Sequence, residues 1–162
     1  LRYMTKNNFV GDVMYPKAFD CLRVGTLDKL KQAADALRSM GYRIVVWDAY
    51  RPRFVQERFW DLIQDDRFVA PPWIGSSHNR GCAIDLTLAD LEGNLLNMPT
   101  DFDCFSESAG AYASIEDEEI EKRLRTLQAC MTSAGFLVYR HEWWHFVDSE
   151  EDLYRVENDI KW

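Results

Sequence analysis

The chain has 162 residues, 47% hydrophobic and 14% aromatic, which is enough to bury a core without staples and too apolar to stay disordered. The 19 basic and 27 acidic residues leave a net charge of -8, a surface that repels phosphate backbones and anionic lipid. No apolar run approaches the roughly 20 residues of a membrane span, so neither nucleic acid nor a membrane is an expected partner.

No repeat, low-complexity tract or Gly/Ser linker divides the sequence, which reads as a single domain over residues 1–162. Leu27, Leu30, Ala34, Leu37 and Met40 recur at helical spacing. They predict a helix from Thr26, its N-cap, to Met40, with Gly41 as the stop. Arg43 to Trp47 is a β-branched run that reads as a buried strand. The turn D-A-Y-R-P follows, and Pro52 opens a second helix with Val55, Phe59, Leu62 and Ile63 on one side. Pro71, Pro72 and Gly75 mark a loop.

Gly81 to Leu88 alternates. That predicts a strand with Ala83, Asp85 and Thr87 on one face and Cys82, Ile84, Leu86 and Leu88 on the other. Asp90 to Asn97 is rich in turn residues. A third helix is expected from about Ile115 to Ala134, its buried stripe being Ile120, Leu124, Leu127 and Met131. Its acidic start, Glu116 to Glu119, suits the helix dipole, and Gly135 ends it. Leu137 to Tyr139 and Trp143 to Val147 read as a closing hairpin, and the tail from Asp148 to Trp162 carries no assignable period. The sum is an α+β fold, a small central antiparallel sheet flanked by about three helices. Cys21, Cys82, Cys104 and Cys130 form no C-x-x-C pair and read as small buried hydrophobes.

The chemistry concentrates in two segments that hold all three histidines: S-S-H-N-R-G-C-A-I-D (Ser76 to Asp85) and H-E-W-W-H-F (His141 to Phe146). A catalytic zinc wants three N/O ligands and a carboxylate nearby that is not a ligand. His78 and Asp85 converge only if Gly81 turns the chain back. Glu142 and His145 point to opposite faces of a straight strand, so they share a site only if the segment starts as a turn or bulge. Each cluster alone reads first as a hydrogen-bonded His–carboxylate pair rather than as metal ligands. Together, in a chain so poor in histidine, they put a metal site on an equal footing with that reading.

The pattern S-x-H-x-x-G-x-A-x-D followed by E-x-W-H resembles the signature of zinc D,D-peptidases with the hedgehog and lysostaphin fold. The longer strings S-S-H-N-R-G-C-A-I-D-L-T-L, E-W-W-H, V-W-D-A-Y-R-P and Y-M-T-K-N-N-F resemble the VanX-type D-alanyl-D-alanine dipeptidases, and the likeness runs from about Tyr3 to Phe146. The resemblance implies that His78, Asp85 and His145 hold one zinc ion per chain and that Glu142 is the catalytic base. It makes Arg51 the stabiliser of the oxyanion and Asp103 the partner of the substrate's ammonium, with Ser76 and Tyr3 in the substrate pocket. Trp144 becomes packing that orients His145, and His141 is no ligand. The implied activity is a metallopeptidase's hydrolysis of the small D-Ala-D-Ala substrate to two D-alanines, in peptidoglycan turnover or glycopeptide resistance. The alternatives are a D,D-carboxypeptidase or endopeptidase acting on stem peptides, and a non-catalytic zinc module, against which Glu142 and Arg51 argue. The implied compartment is the bacterial cytoplasm, with the periplasm as the alternative because the chain begins at Leu1.

Overall fold

The computed structural model describes residues 1–157. A 3-10 turn at Arg2–Met4 precedes helix α1 (Val24–Ser39), strand β1 (Arg43–Asp48) and helix α2 (Arg53–Leu62). A second 3-10 turn at Ser77–Arg80 leads into strand β2 (Ala83–Ala89). Helix α3 (Glu118–Ser133) and the strands β3 (Phe136–Val138) and β4 (His145–Asp148) complete the frame. The four strands form one antiparallel sheet in the order β1-β2-β4-β3, the expected α+β architecture. Among the described residues no helix is long and apolar enough to cross a membrane.

Every residue of β2 is buried, so the expected alternation carries two different environments rather than an inside and an outside. Ile84, Leu86 and Leu88 join Leu37, Leu124, Leu127 and Met131 in the aliphatic core. Asp85 and Thr87 are buried polar residues of the same strand. Leu37→Ala removes a side chain with no exposure and is expected to destabilise the fold by about 2–5 kcal/mol in chemical denaturation. The large aromatic share builds a second packed layer, with Tyr3 on Phe59 at 4.7 Å between ring centroids, Trp47 on Phe102 at 5.0 Å and Phe102 on Trp144 at 5.7 Å.

The register of β1 shifts between Val46 and Asp48. Val46 pairs with Leu86, and Asp48, rather than Trp47, then lies opposite Asp85. Such an irregularity re-aims side chains at a strand end. Here it sets Asp48, Asp85 and His145 in one row across the sheet.

Several expectations are corrected in detail. Thr26 does not cap α1; the helix begins at Val24, and the buried Thr26 hydroxyl donates to Asp148 Oδ2 at 2.6 Å. Leu27 and Met40 are exposed, and the buried stripe runs through Ala33 and Leu37 instead. Pro52 precedes α2 as its N-cap, while Leu62 is exposed and Ile63 lies past the helix end. The N-cap of α3 is Asp117, whose carboxylate accepts from the Glu119 and Ile120 amides. All four cysteines are free thiols, but only Cys82 and Cys130 are buried; Cys21 and Cys104 are half-buried. The unassigned tail holds the end of β4 and a 3-10 turn at Glu151–Leu153, and residues 158–162 lie outside the described residues.

Candidate active site

The turn that carries His78 is built from its own side chains. Ser76 Oγ accepts from the His78 amide at 3.2 Å, and Asn79 Oδ1 accepts from the Ser76 amide at 2.8 Å. Gly81 closes the turn at φ 69°, in the left-handed region that favours glycine, and the chain reverses into β2. Asp85 then pairs with His145 across β2 and β4. Gly81 thus does what the seven-residue spacing required of it.

His78 Nδ1 lies 2.6 Å from the Ala49 carbonyl oxygen. A carbonyl can only accept, so Nδ1 carries a proton and Nε2 is the nitrogen that faces the other site residues. That Nε2 is 3.2 Å from His145 Nδ1 and 3.3 Å from Asp85 Oδ2, and His145 Nδ1 is 2.8 Å from Asp85 Oδ1. The three donor atoms lie within 4.8 Å of one another. Burial alone lifts the Asp85 carboxyl, but the neighbouring His78 and the hydrogen bonds from both imidazoles hold it below the usual carboxylate range. Burial pushes the His145 imidazole down, against the pull of Asp85. Two imidazole nitrogens converging with an ionised carboxylate are, once the protons they share with Asp85 are displaced, a donor set that zinc takes in catalytic sites. The residues present fit a zinc ion.

Arg51 leaves the end of β1 and is buried beside this cluster. Its Nε and Nη2 donate to Asp48 Oδ2 at 3.0 and 2.9 Å, and its Nη1 donates to Gln56 Oε1 at 2.9 Å. Asp48 is held in turn by the Tyr15 hydroxyl, which donates to Oδ1 at 2.6 Å. The guanidinium sits over the Phe59 and Tyr3 rings, 5.0 and 5.4 Å from their centroids. A buried anion and two aromatic faces therefore balance the cation. Arg51 Nη2 lies 3.8 Å from Asp85 Oδ2, which puts its outer edge toward the three donors.

Glu142 is buried in the turn between β3 and β4. Its amide donates to the Tyr139 carbonyl at 3.4 Å, and its own carbonyl accepts from the His145 amide at 3.3 Å. This bend lets Glu142 and His145 reach the same space. Burial, together with the charges of Asp85 and Asp103, pushes the Glu142 carboxyl well above the carboxylate range. Asp103 adopts φ 59°, a left-handed backbone that places its carboxyl under the N-terminal segment. The Tyr3 hydroxyl donates to Oδ1 at 2.8 Å and the Phe9 amide to Oδ2 at 3.2 Å.

Burial raises the Asp103 carboxyl from 3.8 to about 7, despite the Tyr3 and Phe9 hydrogen bonds. Between those values the folded chain keeps a proton that the unfolded chain has released. The contribution of Asp103 to the stability of the metal-free protein is therefore lost as pH rises from about 4 to about 7. In urea titrations of chelator-treated protein, Asp103→Asn is expected to flatten this decline; an unchanged slope would refute the assignment.

A cavity of about 220 Å³ is lined by all eight predicted site residues: Tyr3, Arg51, Ser76, His78, Asp85, Asp103, Glu142 and His145. Trp144 lines it too, whereas Trp143 packs on Trp47 and donates from Nε1 to Thr100 Oγ1 at 2.9 Å. His141 stays outside, its ring 5.6 Å from Tyr139. Cys82 is buried away from the cavity. Sequence reasoning alone passes over Asp48, Tyr15, Gln56 and Tyr139. For Asp48 a signal exists, an acid three residues before the singled-out arginine.

A family model described as D-ala-D-ala dipeptidase, Peptidase M15, matches residues 1–160. The D-alanyl-D-alanine dipeptidase of Escherichia coli (strain K12) is 35% identical over 146 residues, which cover 90% of this chain and 76% of that protein. That of Enterococcus faecium is 33% identical over 174 residues, covering 93% and 85%. Among solved structures, VanYB in complex with D-alanine-D-alanine aligns with a TM-score of 0.55 at 16% identity, over 82% of this chain and 74% of that one. A vancomycin-resistance D,D-pentapeptidase, VanY, in complex with Zn(II) gives 0.54 at 16% identity, over 81% and 74%. At that identity these two likenesses speak for the fold.

Proposed function

The chain belongs to the Peptidase M15 family of D-Ala-D-Ala dipeptidases, and on that premise we propose that it is a single-domain, zinc-dependent hydrolase of free D-Ala-D-Ala. The observation that carries the reading is the convergence of two imidazoles, the carboxylates of Asp85, Asp103 and Glu142, and one guanidinium on a single small cavity. His78, Asp85 and His145 would hold one zinc ion. When bound, the ion supplies a Lewis acid for the scissile carbonyl and makes an attacking water more acidic.

Glu142 takes the proton from that water and passes it to the leaving amine. Arg51 offers a fixed cation to the charge that develops on the carbonyl oxygen. Its Asp48 and Gln56 partners hold it in place before substrate arrives, so no reorganisation is needed at the moment of reaction. The substrate is a zwitterion, and Asp103 gives its ammonium an anionic partner, with Tyr3 orienting that carboxylate. Ser76 shapes the pocket and holds the His78 turn. The protein walls and the aromatic layer exclude bulk water from these charges.

Incubation with D-Ala-D-Ala and, separately, with a pentapeptide stem tests the reading. Release of D-alanine from the dipeptide is expected; release from the stem alone would replace the dipeptidase by a D,D-carboxypeptidase. The dipeptidases it resembles in Escherichia coli and Enterococcus faecium support a bacterial reading, and we propose a cytoplasmic enzyme of wall turnover or glycopeptide resistance.

A further inference from the structure

We propose that Gln56 is a positioning residue that couples the seat of the rim loop, residues 64–75, to the aim of the Arg51 guanidinium, an inference that rests on the role given to Arg51 above. Gln56 is on α2 with no exposure. Both ends of its amide are engaged. Oε1 accepts from Arg51 Nη1 at 2.9 Å, and Nε2 donates to the Ala70 carbonyl at 2.7 Å.

On the arginine side, the two Asp48 bonds end on the same oxygen, Oδ2. Two bonds to one atom form a pivot, and Gln56 Oε1 supplies the second fixed point that stops rotation about it. The guanidinium has five N–H groups in a planar fork. Asp48 takes two and Gln56 one. One N–H on each terminal nitrogen is left for a ligand, and their direction follows from that second fixed point.

On the loop side, Asp66, Phe68, Val69, Ala70 and Gly75 form cavity wall. The bonds from the Phe68 and Val69 amides to Asp65, and from Ile74 and Gly75 to Pro71, close local turns without tying the loop to the body. Pro71 and Pro72 have no N–H to contribute. Among the described residues, two side chains reach loop carbonyls from outside: Gln56 at Ala70, and the Tyr139 hydroxyl at Arg67, at 2.7 Å. Gln56 thus joins the wall that confines the substrate to the group that meets the developing charge. The joint demands an acceptor at one end and a donor at the other. A carboxylate satisfies only the first, and an alkyl chain neither.

The experiment compares Gln56→Glu and Gln56→Leu in the zinc-loaded full chain, for D-Ala-D-Ala hydrolysis and for amide hydrogen exchange across residues 64–75. Gln56→Glu keeps the acceptor for Arg51 and sets an oxygen against the Ala70 carbonyl. Loop exchange is expected to quicken about tenfold and KM to rise, with a smaller fall in kcat than in Gln56→Leu. Gln56→Leu is expected to quicken the loop and also to lower kcat about tenfold, since sub-ångström misplacement of a catalytic group costs rates of that order. In an Arg51→Lys background the added Gln56→Leu should leave kcat unchanged within about twofold. Because coupling is reciprocal, Arg51→Lys alone should quicken loop exchange, a readout that needs no turnover. Three results would each overturn the proposal: an unaltered kcat in Gln56→Leu, the same tenfold fall persisting in the Arg51→Lys background, or loop exchange indifferent to Gln56→Glu. Wild-type protein that leaves D-Ala-D-Ala intact would instead refute the assigned substrate, and the exchange measurements would still judge the coupling.

Discussion

Purified with zinc present, the His145→Ala protein is expected to elute from gel filtration without the metal. Loss of an outer hydrogen-bond partner already costs metal sites roughly 10–100-fold in affinity, and loss of a donor atom costs more. The reason is local. His145 Nδ1 approaches both Asp85 Oδ1 and His78 Nε2, so its removal leaves two donors where three converge. Hydrolysis should vanish with the metal, while the far-UV spectrum stays that of wild type. His78→Ala should behave alike, with an added loss of order at Ala49, whose carbonyl the imidazole holds. One equivalent of zinc retained by either variant would remove that residue from the ligand set.

Glu142→Ala is expected to do the opposite: keep its zinc and lose its turnover. General acid–base groups contribute about 10²–10⁴ in rate, and kcat should fall by that order. Metal content near one equivalent separates this outcome from damage to the ligands. Glu142→Gln, which preserves volume in a buried position, should match the alanine variant in rate and exceed it in stability. Hydrolysis at the wild-type rate in both would show that another group moves the proton.

What the sequence made readable follows from how local each signal was. The α3 stripe of Leu124, Leu127 and Met131 stood out because a helix repeats its own environment every turn. The left-handed turn at Gly81 stood out because few other residues adopt it. Thr26 misled because a buried anion far along the chain, Asp148, competes for its hydroxyl, and a capping rule sees only neighbours. The exposure of Leu27 and Met40 had the same origin, since helical spacing gives a stripe but not the angle at which the sheet meets it. In the site, the proposed zinc donors and Glu142 were marked by scarcity and resemblance. Asp48 and Gln56 were not, because their meaning lies in Arg51, Tyr15 and Ala70, which only folding brings to them. The irregularity after Val46, which sets Asp48 opposite Asp85, leaves no mark that pattern reading can find.

The pairing of Asp85 with His145 has a consequence for the chain's life outside catalysis. These two donors are 60 residues apart in sequence, and only the β2–β4 register makes them neighbours. An unfolded chain therefore offers a cation no ready-made cage. Any zinc held there binds the native state alone, and each tenfold rise of free zinc above its dissociation constant adds about 1.4 kcal/mol to the folding free energy. With the proposed zinc bound, metal supply would govern abundance as well as rate: in a zinc-starved cell the polypeptide would lose part of its protection from unfolding and from the proteases that clear unfolded chains.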